Sequence, residues 1–154
     1  VHRRSLEYAL RRFLPAELLR RANNRYRPPQ EVEIDGERRP DIRLEHPAVT
    51  GPINTEIKWA ENYTLEELLA ALETQLVGQY LRPRDSRYGI FLLGMIGHND
   101  KTRWNDPAGG PRLNFLQVVE RVRARAAELQ ATTPGVLGLA VVAIEFRPPA
   151  RWND

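Results

Sequence analysis

The chain has no cysteine. That absence excludes a disulfide framework and a thiolate-bound zinc, and it is compatible with a reducing cytoplasmic setting. No apolar run approaches the length needed to cross a bilayer, and the amino terminus is Arg-rich and amphipathic rather than a signal sequence. The expectation is a soluble, cytoplasmic protein with no membrane partner. Histidine is scarce as well: His2, His46 and His98 are scattered, not spaced as a metal cluster. Lysine is nearly missing, so that 21 of the 23 basic residues are arginine, against 20 acidic residues and a net charge of +3. Arginine makes bidentate contacts to phosphate, which suits a nucleic-acid partner, but the same bias arises from a high-GC genome.

What is present is ordinary globular composition. With 154 residues and 42% hydrophobic content, the whole chain, residues 1–154, is expected to be one domain with one core. It begins at Val1 rather than Met, the pattern expected of a domain cut from a longer multidomain protein.

The chain is organised around the stretch from Arg39 to Ala60, R-P-D-I-R-L-E-H, a Pro/Gly-punctuated turn, then I-N-T-E-I-K-W-A. Both flanks alternate apolar and polar residues, so each reads as a strand with a period of two. Ile42 and Leu44 point one way and Asp41, Arg43 and Glu45 the other; in the second strand Ile57 and Trp59 share one face and Glu56 and Lys58 the opposite one. Two carboxylates and an ammonium can therefore converge. A hard divalent cation takes oxygen ligands and keeps several waters, so one or two carboxylates on a rigid sheet suffice to hold it beside a phosphate. A nearby lysine can then orient water or stabilise developing charge. The bland alternative makes Glu56 and Lys58 solvent-facing residues of an edge strand and Asp41 a turn residue after proline.

Pro40-Asp41 followed by Glu56-Ile57-Lys58 resembles the two half-motifs of the PD-(D/E)xK nuclease superfamily, the restriction-endonuclease-like fold. The resemblance implies Mg²⁺-dependent hydrolysis of phosphodiester bonds, with Mn²⁺ able to substitute. Asp41, Glu56 and the backbone carbonyl of Ile57 would bind the metal, and Asp41, Glu56 and Lys58 would be catalytic. It favours DNA over RNA as partner and an endonuclease in a bacterial defence or repair protein, with a fused or associated sensing domain and a homo-oligomer as compatible arrangements. Several groups of the superfamily also place an acidic residue from the first helix near the metal, which points to Glu7. The alternative, from a different class, is a catalytically inactive module of this fold that binds DNA or a protein partner.

The rest of the chain supplies context. Residues 2–21 form a helical region with Leu6, Leu10, Phe13, Leu14, Leu18 and Leu19 at helical spacing, and Pro15 is expected to interrupt or restart it. Residues 30–34 alternate as a strand, and Asp35-Gly36 is a turn signal that makes a hairpin with the Asp41 strand. Thr64-Leu65-Glu66-Glu67 matches a capping box, opening a long helix to about Leu81 with Leu65, Leu68, Leu69, Leu72, Leu76 and Val77 as its packing stripe. Gln75 and Gln79 lie one helical turn apart, with Tyr80 beyond. This resembles the Gln-containing helix after the E-x-K strand in RecB-like nucleases, where the spacing is Q-x-x-x-Y; Gln75 and Tyr80 are one residue further apart. Gln75 is the preferred catalytic-site residue, with Gln79 and Tyr80 additional candidates. Arg82, Arg84 and Arg87 around Pro83 are candidates for nucleic-acid binding. Residues 88–96 and 136–146 read as buried strands around a helix over 113–130, with a long loop over 97–112. The order αβββαβ, plus an additional C-terminal helix and strand, is the expected α/β restriction-endonuclease-like core: a mixed central sheet flanked by helices.

Overall fold

The computed structural model describes residues 3–23, 25, 40–97 and 102–146. Helix α1 (Arg3–Arg21) precedes strands β1 (Ile42–Leu44) and β2 (Ile53–Trp59). A single 3₁₀ turn (Ala60–Asn62) leads to α2 (Leu65–Ala71), which continues as a π-helical segment (Leu72–Tyr80); β3 (Tyr88–Ile96), α3 (Phe115–Thr132) and β4 (Gly138–Phe146) follow. The four strands lie in the order β1-β2-β3-β4, with β1 antiparallel to β2 and the rest parallel. This is an α/β protein with a mixed sheet, as expected. The expected strand over 30–34 and the Asp35-Gly36 turn, with Glu31 and Glu33, lie outside the described residues.

The period of two sorts the sheet's side chains between its faces. Phe91, Leu93 and Met95 of β3 meet Leu68, Leu72 and Leu76 of the α2 segment and Val118, Val119 and Val122 of α3. On the other face Ile42, Ile57, Trp59 and Leu92 receive Leu10 of α1, with Leu6, Leu14 and Leu18 packed around them. Helices thus cover both faces, which is why β3 reads as a nearly unbroken apolar run.

Local expectations change in all three helices and in the last strand: β4, at the edge of the sheet, is only partly buried rather than a buried strand. Helix α1 runs through Pro15 without a break. Proline removes the amide that would bond the carbonyl of Arg11, but leucines on both sides of it, Leu10 and Leu14 before and Leu18 after, pack on the sheet and keep the two halves on one axis. Phe13 and Leu19, assigned to the apolar stripe, are exposed. The second helix starts as expected, with the Thr64 and Glu67 reciprocal cap fully formed. Beyond Leu72 it widens, and the Leu81 amide donates to the carbonyl of Leu76, five residues back, at 3.0 Å. In the third helix Leu116 is exposed, and Val118, Ala126 and Leu129 join Phe115, Val119 and Val122 inside.

Part of the 97–112 loop is tied down. Trp104 is buried, pairs with Leu113 as an isolated bridge, and its indole N–H donates to the carbonyls of Tyr63 and Ala60 at 3.0 and 3.3 Å. The loop therefore braces the turn at the end of β2.

Candidate active site

Strand β1 is only three residues long and pairs with Ile53 to Thr55, so β2 outruns it. The amides of Ile57 and Trp59 then face an edge with no backbone partner, and buried amides left unpaired are costly. Two carboxylates fill the gap. Asp41, one residue ahead of β1, accepts the Ile57 amide at 2.7 Å, and Glu7 of α1 accepts the Trp59 amide at 3.0 Å. The N–H and C=O of one residue in a strand point to the same edge, so the Ile57 carbonyl lies between these carboxylates.

Arg11, one turn after Glu7 on α1, joins them. Its guanidinium donates to Glu7 at 2.8 Å, and its Nε stands 3.0 Å from Asp41 Oδ1. Glu7 also accepts from the Tyr63 hydroxyl.

On the face that Phe91 and Leu93 share with α2 and α3, Glu56 and Lys58 form an ion pair of 2.6 Å, both deeply buried. That removes the exposed edge-strand alternative, because both side chains are more than nine-tenths shielded from solvent. The Lys58 ammonium sits 5.3 Å from the centre of the Tyr63 ring, where the ring's negative face favours a cation. Tyr80 stands close enough to Glu56 to feel its charge.

The two halves of this cluster sense each other. Burial, then the negative charge of Glu56, drives the Asp41 carboxyl up to about 7 from an ordinary 3.8, against the Ile57 amide, Arg11 and Lys58, which pull it down. Tyr80 is pushed up to about 12 by burial and by the charges of Glu56 and Asp41; Tyr63 reaches about 12 through burial and the charge of Glu7. Both phenols stay neutral donors throughout the physiological range.

The π-helical segment bears on the glutamine spacing. In an α-helix residues four apart bond, whereas in a π-helix residues five apart do. Over Leu72–Tyr80 the wider turn takes up the extra residue between Gln75 and Tyr80. The Oε1 of Gln75 and the Oδ1 of Asn54 are buried with no hydrogen-bond partner, leaving two acceptors unused on this side of the sheet; the Asn54 amide group donates to the Tyr80 carbonyl at 2.9 Å. Gln79 is half-buried. Arg82, Arg84 and Arg87 are exposed, on the connection that leads into β3. They sit beyond the end of β2 where Ile53 pairs with Tyr88, three residues along the strand from Glu56, about 10 Å.

Among the described residues, no group of three or more His, Cys, Asp or Glu is gathered as metal ligands. The available donors are Asp41, Glu56 and the Ile57 carbonyl, all oxygen. That set fits Mg²⁺, which is held by one or two carboxylates and retains water, and it lacks the nitrogen or sulfur that zinc favours. Glu7 serves the strand edge, Arg11 and Tyr63 rather than completing a third carboxylate ligand. Sequence reasoning did not assign Arg11 or Tyr63 a place at the site and passed over Asn54. The Glu7/Arg11 spacing of four was the available signal for the first, and the alternation Asn54, Glu56, Lys58 for the last.

The fold and site define an α/β protein with a buried carboxylate–lysine cluster at a sheet edge. No protein-family model, curated protein or solved structure matches the chain. No helix among the described residues is long and apolar enough to cross a membrane.

Proposed function

We propose that the chain is a divalent-ion-dependent nuclease of the PD-(D/E)xK type, with a restriction-endonuclease-like core, hydrolysing DNA phosphodiester bonds. The observation that carries this reading is the convergence of Asp41, Glu56 and Lys58, from two neighbouring strands, in one electrostatically linked cluster. Asp41, Glu56 and the Ile57 carbonyl would hold Mg²⁺ or Mn²⁺, which when bound supplies Lewis-acid polarisation of the phosphoryl oxygen and lowers the pKa of water.

The chain's own residues do the rest. Lys58, held by Glu56 and the Tyr63 ring, keeps a positive charge where negative charge develops on the phosphate. Tyr80, kept a neutral phenol beside Glu56, adds no competing charge to the site. Gln75, with a free acceptor, is suited to positioning the attacking water. Arg82, Arg84 and Arg87 are exposed cations suited to flanking phosphates.

Incubation with plasmid, linear and single-stranded DNA and RNA, in Mg²⁺ or Mn²⁺, tests the reading. Asp41→Asn and Lys58→Met should each lower cleavage by about 10²-fold or more, the usual loss when one charge-stabilising group is removed, with unchanged circular dichroism. Cutting at the parental rate by either variant would reject the site. One observation favours the second reading, a binding module without catalysis: in this state the acids are already paired internally, Asp41 with Arg11 and Glu56 with Lys58. Absence of any Mn²⁺ binding, together with retained affinity for DNA, would establish that reading instead.

A further inference from the structure

The charged cluster is closed. The side chains of Glu7, Asp41, Glu56 and Lys58 are each exposed by a tenth or less, and Ile57 has no exposed surface, so nothing reaches its carbonyl until a neighbour moves. Two open concavities among the described residues, of about 410 and 460 Å³, include no member of the cluster. One charged side chain of the cluster differs. Arg11 is 37% exposed, its Nε is buried without a hydrogen bond, and its contact with Asp41 is an ion pair only. It is the member with room to leave.

Its position matters as much. The guanidinium spans Glu7 and Asp41 on the edge where the Ile57 amide and carbonyl face outward. A positive charge is thus already seated on one of the two carboxylates that a divalent ion would use. With Arg11 withdrawn and all acids ionised, three carboxylates face one ammonium, leaving two formal negative charges, the complement of a divalent ion.

We propose that Arg11 is the resident cation of this site and competes with the divalent ion: it offsets one of the two formal negative charges of the Glu7–Asp41 edge in the ion-free protein and swings out when the ion enters. This inference rests on the divalent-ion reading above and adds the residue that sets the affinity. Every buried carboxylate of the ion-free cluster then has a cationic partner, Glu7 and Asp41 sharing Arg11 and Glu56 holding Lys58, whereas one left without a partner would be strongly destabilising, and ion binding is coupled to the release of a guanidinium at the surface.

Calorimetric titration of Mn²⁺ into the intact chain without nucleic acid tests it. Arg11→Met keeps the apolar stem and removes the charge. It is expected to bind Mn²⁺ about tenfold more tightly than the parent, while its melting temperature in EDTA falls. Arg11→Lys retains a cation but cannot bridge both carboxylates, and is expected to bind a few-fold more tightly than the parent; it carries the test should circular dichroism show Arg11→Met unfolded. A purely structural Arg11 predicts the opposite sign, weaker binding in both variants. Equal or weaker Mn²⁺ affinity with a parent that binds overturns the competition alone. No Mn²⁺ binding by parent and variants overturns the competition and the divalent-ion site together.

Discussion

Asp41 carries the largest burden of any residue here, because it caps a strand amide, pairs with Arg11 and faces the charge of Glu56 at once. Its carboxyl holds a proton up to about 7 in the folded chain but only to about 3.8 when unfolded. Between those values the folded state binds more protons, so this group's contribution to stability is full below about 4 and is lost as pH rises through about 7. We expect the melting temperature in EDTA to fall between pH 5 and pH 8, and the fall to shrink markedly in Asp41→Asn, which keeps an oxygen for the Ile57 amide. Scanning calorimetry at the two pH values decides; a parent and variant with the same pH dependence would contradict the burial and repulsion assigned to Asp41. This residue was legible in the sequence, as were Glu56 and Lys58, since the period of a strand needs only local alternation. Arg11 was not, because what fixes its partner is the packing of α1 against an edge 30 residues away in sequence, and local pattern says nothing about that.

At the scale of elements, two departures from regular geometry shape the site. Pro15 costs α1 one hydrogen bond, yet the helix that presents Glu7 and Arg11 continues past it. Pro15→Ala restores the missing donor, and we expect it to stabilise the fold by on the order of 1–3 kcal/mol, read as a raised midpoint in urea. No gain would mean that the two halves of α1 are not one continuous helix. The other departure is the widened turn over Leu72–Tyr80. Its start was legible because a capping box is a local chemical signature, and Thr64→Ala should cost about 1 kcal/mol by removing it. The widening was not legible, since leucines at three- and four-residue spacing fit an α-helix equally well. The continuity of α1 was misread for a related reason: propensity rules count only the cost of the proline, and tertiary packing of Leu14 before it and Leu18 after it outweighs that cost.

Across the whole molecule, the sheet is buried at its two central strands, β2 and β3, and held by side chains where β1 is short. Strands β3 and β4 are paired over nine residues, and their apolar runs announced them in the sequence. The β1 end has three paired residues, and its stability depends on Asp41, Glu7 and Arg11. The fold is therefore most sensitive where the cluster sits, and a ligand there should be felt globally. An ion that binds only the folded state adds about 2.7 kcal/mol at a concentration one hundred times its dissociation constant. For a chain of this size each kcal/mol is worth about 2–4 °C, so saturating Mn²⁺ should raise the melting temperature by about 5–11 °C over EDTA. Glu56→Gln should remove most of that rise, because it takes away one of two anionic donors. Alanine in place of the exposed Glu120, which pairs with Arg123 along α3, should leave it intact. A rise of equal size in the parent and Glu56→Gln would locate the ion elsewhere and detach the cluster from the function proposed for it.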